Sequence, residues 1–443
     1  MEPPHLLFGI NPLWLATALL FLAYVAIIVD RVNRALVSGI GACLVIVSGI
    51  LTQDEAIRGV DFNTIMLLTG MMLIVGITRR TGLFEYVAIR AVKLAGARPA
   101  AILALLAIVT AVFSALVDNV TTVLLMAPVT LAITRQLRVD PWPYLFAQVL
   151  ASNVGGTATL IGDPPNIMIG SAAGLSFNDF VLNLGPVILL IVLAHGVIGQ
   201  LGWGRRLQAT AEDRARVLAM DDRAAITNPR LLRYALMVLA AVIAAFITAR
   251  LLHLEAGTIA MFGAAVLLLL DVHERNAEEQ AHQVHASFGE VEWITLFFFI
   301  GLFVMVEGVS KTGLLRILAD RLLAATGGDP TVTVLAVLWG SALLSAVLDN
   351  IPFVATMIPL VKALESAFGG AAGLEPVWWA LALGACLGGN GTLIGASANL
   401  AVAGIADRAG VPFKFTKFTV RAFPLMLVSV GIAHVYLWVR YLR

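Results

Sequence analysis

Residues 155–166 read Gly155-Gly156-Thr157-Ala158-Thr159-Leu160-Ile161-Gly162-Asp163-Pro164-Pro165-Asn166, and residues 386–399 read Cys386-Leu387-Gly388-Gly389-Asn390-Gly391-Thr392-Leu393-Ile394-Gly395-Ala396-Ser397-Ala398-Asn399. Each run interrupts a long apolar block, 143–174 in the first case and 377–406 in the second. Glycines let a backbone leave the helix and approach other groups closely. Backbone that leaves the helix at membrane depth has to be buried in protein or line a cavity, because lipid cannot hydrogen-bond it. Both blocks therefore read as membrane spans broken in the middle.

The two breaks are copies of one another. Gly155-Gly156 matches Gly388-Gly389, Thr159 to Gly162 match Thr392 to Gly395, and Asn166 matches Asn399, all at an offset of 233. Upstream the offset is 231. There Val60-Asp61 with Thr64 matches Val291-Glu292 with Thr295, and Thr81-Gly82 matches Thr312-Gly313. Asp118-Asn119 likewise matches Asp349-Asn350, and Met126-x-Pro128 matches Met357-x-Pro359. A two-residue insertion accounts for the change of offset.

The Asp-Asn pairs fall in the middle of blocks 99–134 and 331–364, which read as re-entrant hairpins. Simple spans are expected at 13–29, 36–52, 62–78, 180–202, 231–251, 256–271, 292–309 and 420–440. The first of these reads as a span and not as a signal peptide, since more spans follow it. The expected architecture is an all-α polytopic membrane protein of two inverted repeats. Each repeat has five crossings, one of them broken, plus one hairpin. An odd number of crossings turns the second copy upside down, and discontinuous helices at matching positions point to a transport site near the midplane. The expected division is repeat 1 at 1–204, a linker at 205–229 and repeat 2 at 230–443. Segments 83–95 and 314–326 read as helices lying in the interface.

Composition agrees with a membrane protein. Of 443 residues, 60% are hydrophobic and 13% charged, against about a half and about a quarter in soluble domains. The net charge of +1 leaves no basic field for nucleic acid. Cys43 and Cys386 both lie in apolar blocks, so neither a disulfide nor a metal site follows from their spacing. Orientation comes from the basic loops. Arg79, Arg80, Arg90, Lys93, Arg98, Arg135, Arg138, Arg205, Arg206, Arg214, Arg216, Arg223 and Arg230 all fall at one end of the bundle in this reading. That end is expected to be cytoplasmic, with both termini outside.

A carboxylate at the centre of a membrane block costs roughly 2.5–3.5 kcal/mol on insertion scales. Two at equivalent positions, Asp118 and Asp349, point to function, although Asp is also a good cap for a helix start. The expected solute- or ion-binding set is Asp118, Asn119 and Thr121 at the first tip, and Asp349 and Asn350 at the second. From the first break it takes Asn153, Gly156, Thr157, Thr159, Asp163 and Asn166, and from the second Gly389, Asn390, Thr392, Ser397 and Asn399. Unwound carbonyls, hydroxyls and amides are the expected ligands. Asp118 and Asp349 are assigned proton coupling. Asp163, whose repeat mate is Ala396, is expected mainly to cap the helix beginning at Pro164. No Arg or Lys within a span faces the site in this reading. His195 and His434 read as hydrogen-bonded structural residues. His273, His282 and His285 read as members of a solvated loop, with no metal expected.

The break Gly155 to Asn166, with Asp118-Asn119 and Asp349-Asn350, resembles the ion transporter superfamily. Within it the arsenite permease / sodium–proton antiporter (ArsB/NhaD) branch is most similar, a branch that includes the melanosomal P-protein relatives. The likeness covers essentially the whole chain. It implies an elevator-like motion of the hairpin-containing region and a homodimer. The dicarboxylate branch has Ser-Asn-Thr at its tips. Here Asp replaces Ser in both halves and Thr121 stands two positions after Asn119, which disfavours dicarboxylates.

Two acidic tips favour a cation, a proton, or a neutral solute exchanged for protons. The leading reading is efflux of arsenite or antimonite by proton antiport across the inner membrane. Sodium–proton antiport is the alternative, and a passive channel a third. No nucleophile–base pairing or nucleotide motif suggests an enzyme or a cofactor, and an ATPase partner would be a separate chain.

Overall fold

The computed structural model describes residues 10–29 and 31–443. Residues 1–9, on which the expected position of the N-terminus rests, lie outside the described residues. The first repeat comprises α1 (Pro12–Val29), α2 (Arg34–Val47), α3 (Gln53–Gly59), α4 (Phe62–Arg79), α5 (Leu83–Leu94), α6 (Pro99–Leu116), α7 (Asn119–Leu137), α8 (Trp142–Gly156), α9 (Pro164–Ala173) and α10 (Phe177–Gly202). After α11 (Ala211–Leu218) come α12 (Pro229–Leu252), α13 (Ala256–Val272), α14 (Ala277–Phe288), α15 (Trp293–Lys311), α16 (Leu314–Ala325), α17 (Pro330–Ser345), α18 (Asn350–Ala363), α19 (Glu375–Gly388), α20 (Ser397–Arg408) and α21 (Phe415–Leu437). No strand occurs among the described residues. The pairs α6–α7 and α17–α18 form the hairpins. α8 with α9, and α19 with α20, form the broken spans.

Two boundaries differ from expectation. The block read as a span at 36–52 is helical only over Arg34–Val47, because Gly49 turns the chain at a φ of +81°. Fourteen residues rise about 21 Å, short of the roughly 30 Å hydrocarbon core. The acidic loop that follows forms a helix of its own, α3, started by a capping box between Thr52 and Glu55.

The inverted repeat is visible in the packing. Gly70 on α4 lies against the Ala260 backbone of α13, and Gly301 on α15 lies against the Ser38 backbone of α2. Gly155 sits on the Ala111 backbone, and Gly388 on that of Ala342. A Cβ at any of these four would collide with main chain. Small residues are what let membrane helices approach this closely.

Polar contacts between the repeats, and from the linker to the first repeat, gather each end of the bundle. At the Arg-rich end Arg80 pairs with Asp271 at 2.7 Å, Lys93 with Asp222 at 2.6 Å, and Arg79 with Glu290. There too the Thr227 N–H donates to the Thr81 carbonyl at 3.1 Å. The bond from Lys93 holds Asp222 below the usual carboxylate range. At the opposite end Lys311 meets Glu55 at 2.6 Å and Arg250 meets Asp179 at 2.7 Å. Lys311 and the Thr52 N–H pull Glu55 down to about 2.

Candidate functional site

Each hairpin tip is stitched to the break of its own repeat by the same bonds. Ser114 Oγ donates to the Ser152 carbonyl at 2.6 Å, as Ser345 does to Ala385 at 2.6 Å. Thr159 Oγ1 donates to the Ala115 carbonyl at 2.6 Å, and Thr392 Oγ1 to Ala346. Asn166 Nδ2 closes the first break onto the carbonyls of Thr157 and Thr159, at 3.1 and 2.9 Å. Asn399 Nδ2 does the same for Gly389 and Thr392, at 2.8 and 2.9 Å. The glycines Gly156 and Gly389 stand where the break crosses itself, against the carbonyls of Gly162 and Gly395. Several unwound carbonyls read from sequence as free ligands are thus already occupied. Thr159, Thr392, Asn166 and Asn399 shape the breaks.

The two halves meet through amides. Asn119 Nδ2 donates to Asn153 Oδ1 at 3.0 Å, and Asn153 Nδ2 reaches Asn390 Oδ1 and Asn399 Oδ1, both at 2.9 Å. Across the pseudo-twofold the repeat mate of Asn153 is Cys386, and its thiol faces Asn166 Oδ1 at 3.6 Å. Asn153 and Cys386 therefore play one part, each donating to the other repeat's asparagine. Thr157 Oγ1, the mate position of Asn390, turns back to the Asn153 carbonyl at 2.7 Å. All these side chains are buried, and Asn119 Oδ1 has no partner among the described residues.

Asp163 is not the cap that sequence suggested. Its side chain makes no capping bond to α9: Pro164 and Pro165 bring no N–H to the first turn, and the Asn166 N–H goes to the Asp163 carbonyl at 2.9 Å. The buried carboxylate instead accepts the Asn350 amide, 3.3 Å from each oxygen. A residue of the first break thus contacts the tip of the second hairpin.

The tip aspartates do cap. Asp118 accepts the Thr121 N–H at 2.7 Å and Asp349 the Ile351 N–H at 3.0 Å. Among the described residues, Asp349 alone has more. Ser397 Oγ donates to it at 2.8 Å, and Arg34 Nη1 lies 2.9 Å from that hydroxyl and 3.7 Å from the carboxylate. Arg34 Nη2 reaches Thr295 Oγ1 at 3.1 Å, and its guanidinium lies 5.2 Å from the Phe298 ring centre. This corrects the expectation that no cation faces the site. A span boundary read at residue 36 leaves Arg34 in a loop. α2 in fact begins at Arg34, capped by Asn33, and its side chain runs inward. The signal available was an Arg directly after Asn at the start of a short apolar block.

Residues outside this cluster have local roles. His195 Nε2 lies 2.9 Å from Ser429 Oγ, and the Trp339 indole donates to His434 Nδ1 at 3.1 Å. His282 and His285 lie on α14, not in a loop.

With this geometry in view, the comparisons are specific about family. Residues 24–384 match the family described as CitMHS, citrate transporter. The chain belongs to that family. This CitMHS chain is 44% identical to an uncharacterized transporter of Mycobacterium bovis over 430 residues, covering 96% of this chain and 98% of that one. It is 34% identical to the P protein of Homo sapiens over 96% of its own length and 59% of the P protein. Its fold is similar to that of the Alcanivorax borkumensis YdaH transporter, with a TM-score of 0.62 at 15% identity, covering 97% of this chain and 98% of that one. The CitMHS chain is thus a multi-pass membrane protein of a transporter family, with inverted-repeat topology.

Proposed function

We propose that this protein is a secondary active transporter of the inner membrane. It exports a small neutral polar solute, arsenous or antimonous acid, in exchange for protons, by an elevator-like movement of the hairpins and breaks. The Arg-rich end faces the cytoplasm. The observation that carries this reading is the balance of acceptors over cations. Asp118, Asp163 and Asp349 stand beside a buried amide chain ending in Asn119 Oδ1, which has no partner among the described residues, and the guanidinium of Arg34 faces one of the three, Asp349. Such a site suits a solute that donates O–H bonds without bringing charge. A polycarboxylate would add negative charge where burial already makes it costly.

Asp118 and Asp349 are the coupling residues in this reading, each alternating between a charged and a protonated state. One inward proton exchanged for one neutral solute moves one net charge. At 100 mV that contributes about 2.3 kcal/mol, enough for roughly a fiftyfold gradient. The second reading, sodium–proton antiport, is favoured by one feature: Asp118 makes no ion pair among the described residues, so a cation could take that position.

Everted vesicles under an imposed pH gradient, assayed in parallel for arsenite, antimonite, sodium and citrate, separate these readings. Arsenite or antimonite uptake that collapses with the gradient supports the first. Sodium-dependent proton movement alone supports the second. Citrate uptake, the substrate in the family's description, overturns both, and gradient-independent flux of any of them indicates a channel.

A further inference from the structure

Arg34 breaks the pseudo-twofold symmetry of the site. The surroundings of Asp349 repeat those of Asp118 in backbone. The position equivalent to Ser397 is Pro164, however, and among the described residues no guanidinium pairs with Asp118. Arg34 also belongs to a different body from Asp349 and Ser397. It starts α2, packed with α15, whereas Asp349 and Ser397 belong to the hairpin and break that an elevator would carry past α2 and α15. A second contact spans the same boundary: the Tyr24 hydroxyl of α1 donates to the Pro352 carbonyl at 2.6 Å, beside Thr356. In the first repeat Asn63 Nδ2 of α4 donates to Ser171 Oγ of α9 at 3.3 Å, a contact between neutral groups at the opposite end of the bundle.

We propose that Arg34 is a counter-ion that captures the charged Asp349 and locks the carrier in the orientation seen here. The proposal rests on the reading of the protein as a proton-coupled carrier. Asp349 arrives protonated and releases its proton to the water at the Arg-rich end, where Arg34 and Asp349 are 29% and 16% exposed. The freed carboxylate then takes the guanidinium, with Ser397 and Thr295 completing its hydrogen bonds. Two other charged groups lie close to this cluster: Glu292, whose carboxylate is bridged to it by Thr295 Oγ1 at 3.1 Å, and Asp163, which accepts the amide of Asn350 next to Asp349. Locked in this way, the empty carrier cannot return. Cargo that donates its own hydrogen bonds to Asp349 releases the guanidinium, so the return step requires cargo. An exchanger without this lock would shuttle protons through an empty cycle: Asp349 binds a proton at one face, crosses, releases it and returns charged.

The test is proton flux without cargo. Wild type, Arg34→Gln and Arg34→Lys are reconstituted in liposomes holding a pH-sensitive dye, with the membrane potential clamped. A pH step is then applied with no solute present. The lock predicts a wild-type flux close to that of protein-free liposomes. In Arg34→Gln the flux rises about tenfold, a typical size for a coupling between two sites, and Arg34→Lys stays near wild type because the charge is kept. An Arg34→Gln flux at the wild-type level overturns the proposal, as does a loss of gradient-driven transport without any rise in empty flux. Because no cargo is present, the assay is independent of cargo identity. A leaking Arg34→Gln alongside a wild type that moves none of the tested solutes would keep the lock and reject the proposed substrate.

Discussion

The two hairpin tips share a sequence and a fold but not an environment. Asp118 caps its helix and makes no further hydrogen bond or ion pair among the described residues. Asp349 caps its helix, accepts Ser397 and faces Arg34. Duplication copied the backbone devices, namely the serine and threonine ties from tip to break and the asparagine that closes each break. It did not preserve the charges around them. An inverted repeat therefore supplies two sites of one shape and lets them diverge in electrostatics: among the described residues one carboxylate has no ion pair, while the other faces Arg34 on α2.

The largest effect that could break this comparison is at Asp118. Asp118→Asn should keep the fold, since Asn caps as well, and lower gradient-driven transport about a hundredfold, the usual worth of a positioned proton-transfer group. Asp349→Asn should lose less, about tenfold, and show the empty-cycle proton flux of an unlocked carrier. Equal losses in both, with no leak in the second, would make the two tips equivalent. Initial rates in proteoliposomes decide the matter.

The junction of the repeats offers a smaller effect. Asn153→Ala removes the partner of Asn119, Asn390 and Asn399 at once, and should cost about 1–3 kcal/mol for the buried amides it strands. Its mate variant Cys386→Ala removes one weak thiol bond and should cost less. Thermal unfolding in detergent ranks the two, and the reverse order would refute the pairing of Asn153 with Cys386 as equivalents. At Asp163, substitution by Asn keeps a partner for Asn350 and removes no cap, so the melting temperature should not move by the ~1 kcal/mol that losing a helix cap costs. A loss of that size would restore the capping role. The smallest effect is expected at Glu55. Its ionised form is favoured by Lys311, so whatever it contributes is present above the ordinary Glu range and fades only as the pH falls toward about 2. The pair is exposed, so Glu55→Gln should leave both transport and melting temperature at neutral pH within error.

The breaks, the hairpins, the repeat offsets and the inversion were all legible in sequence, because each is written in a local pattern. Apolar length, Gly-rich interruption and a buried Asp-Asn need no knowledge of what packs where. The helix starts at Asp118 and Asp349 belong to this class too, since a cap and its N–H are two or three residues apart. Asp163 was misread by the same logic: the residue before a helix was taken for its cap, although the two prolines after it bring no donor.

The tertiary structure alone decided which distant groups share the site. Arg34 meets Asp349 across 315 positions of chain, Asn153 meets Asn399 across 246, and Asp163 meets Asn350 across 187. None of these pairs shares a helix face or a repeat offset. They come together because the second copy is packed upside down against the first, which sets helix starts of one half beside hairpin tips of the other. Hydrophobic periodicity specifies that the halves must pack. The small-residue contacts at Gly70, Gly301, Gly155 and Gly388 specify how closely. The charges that end up facing each other are a product of that packing, and sequence order does not carry them.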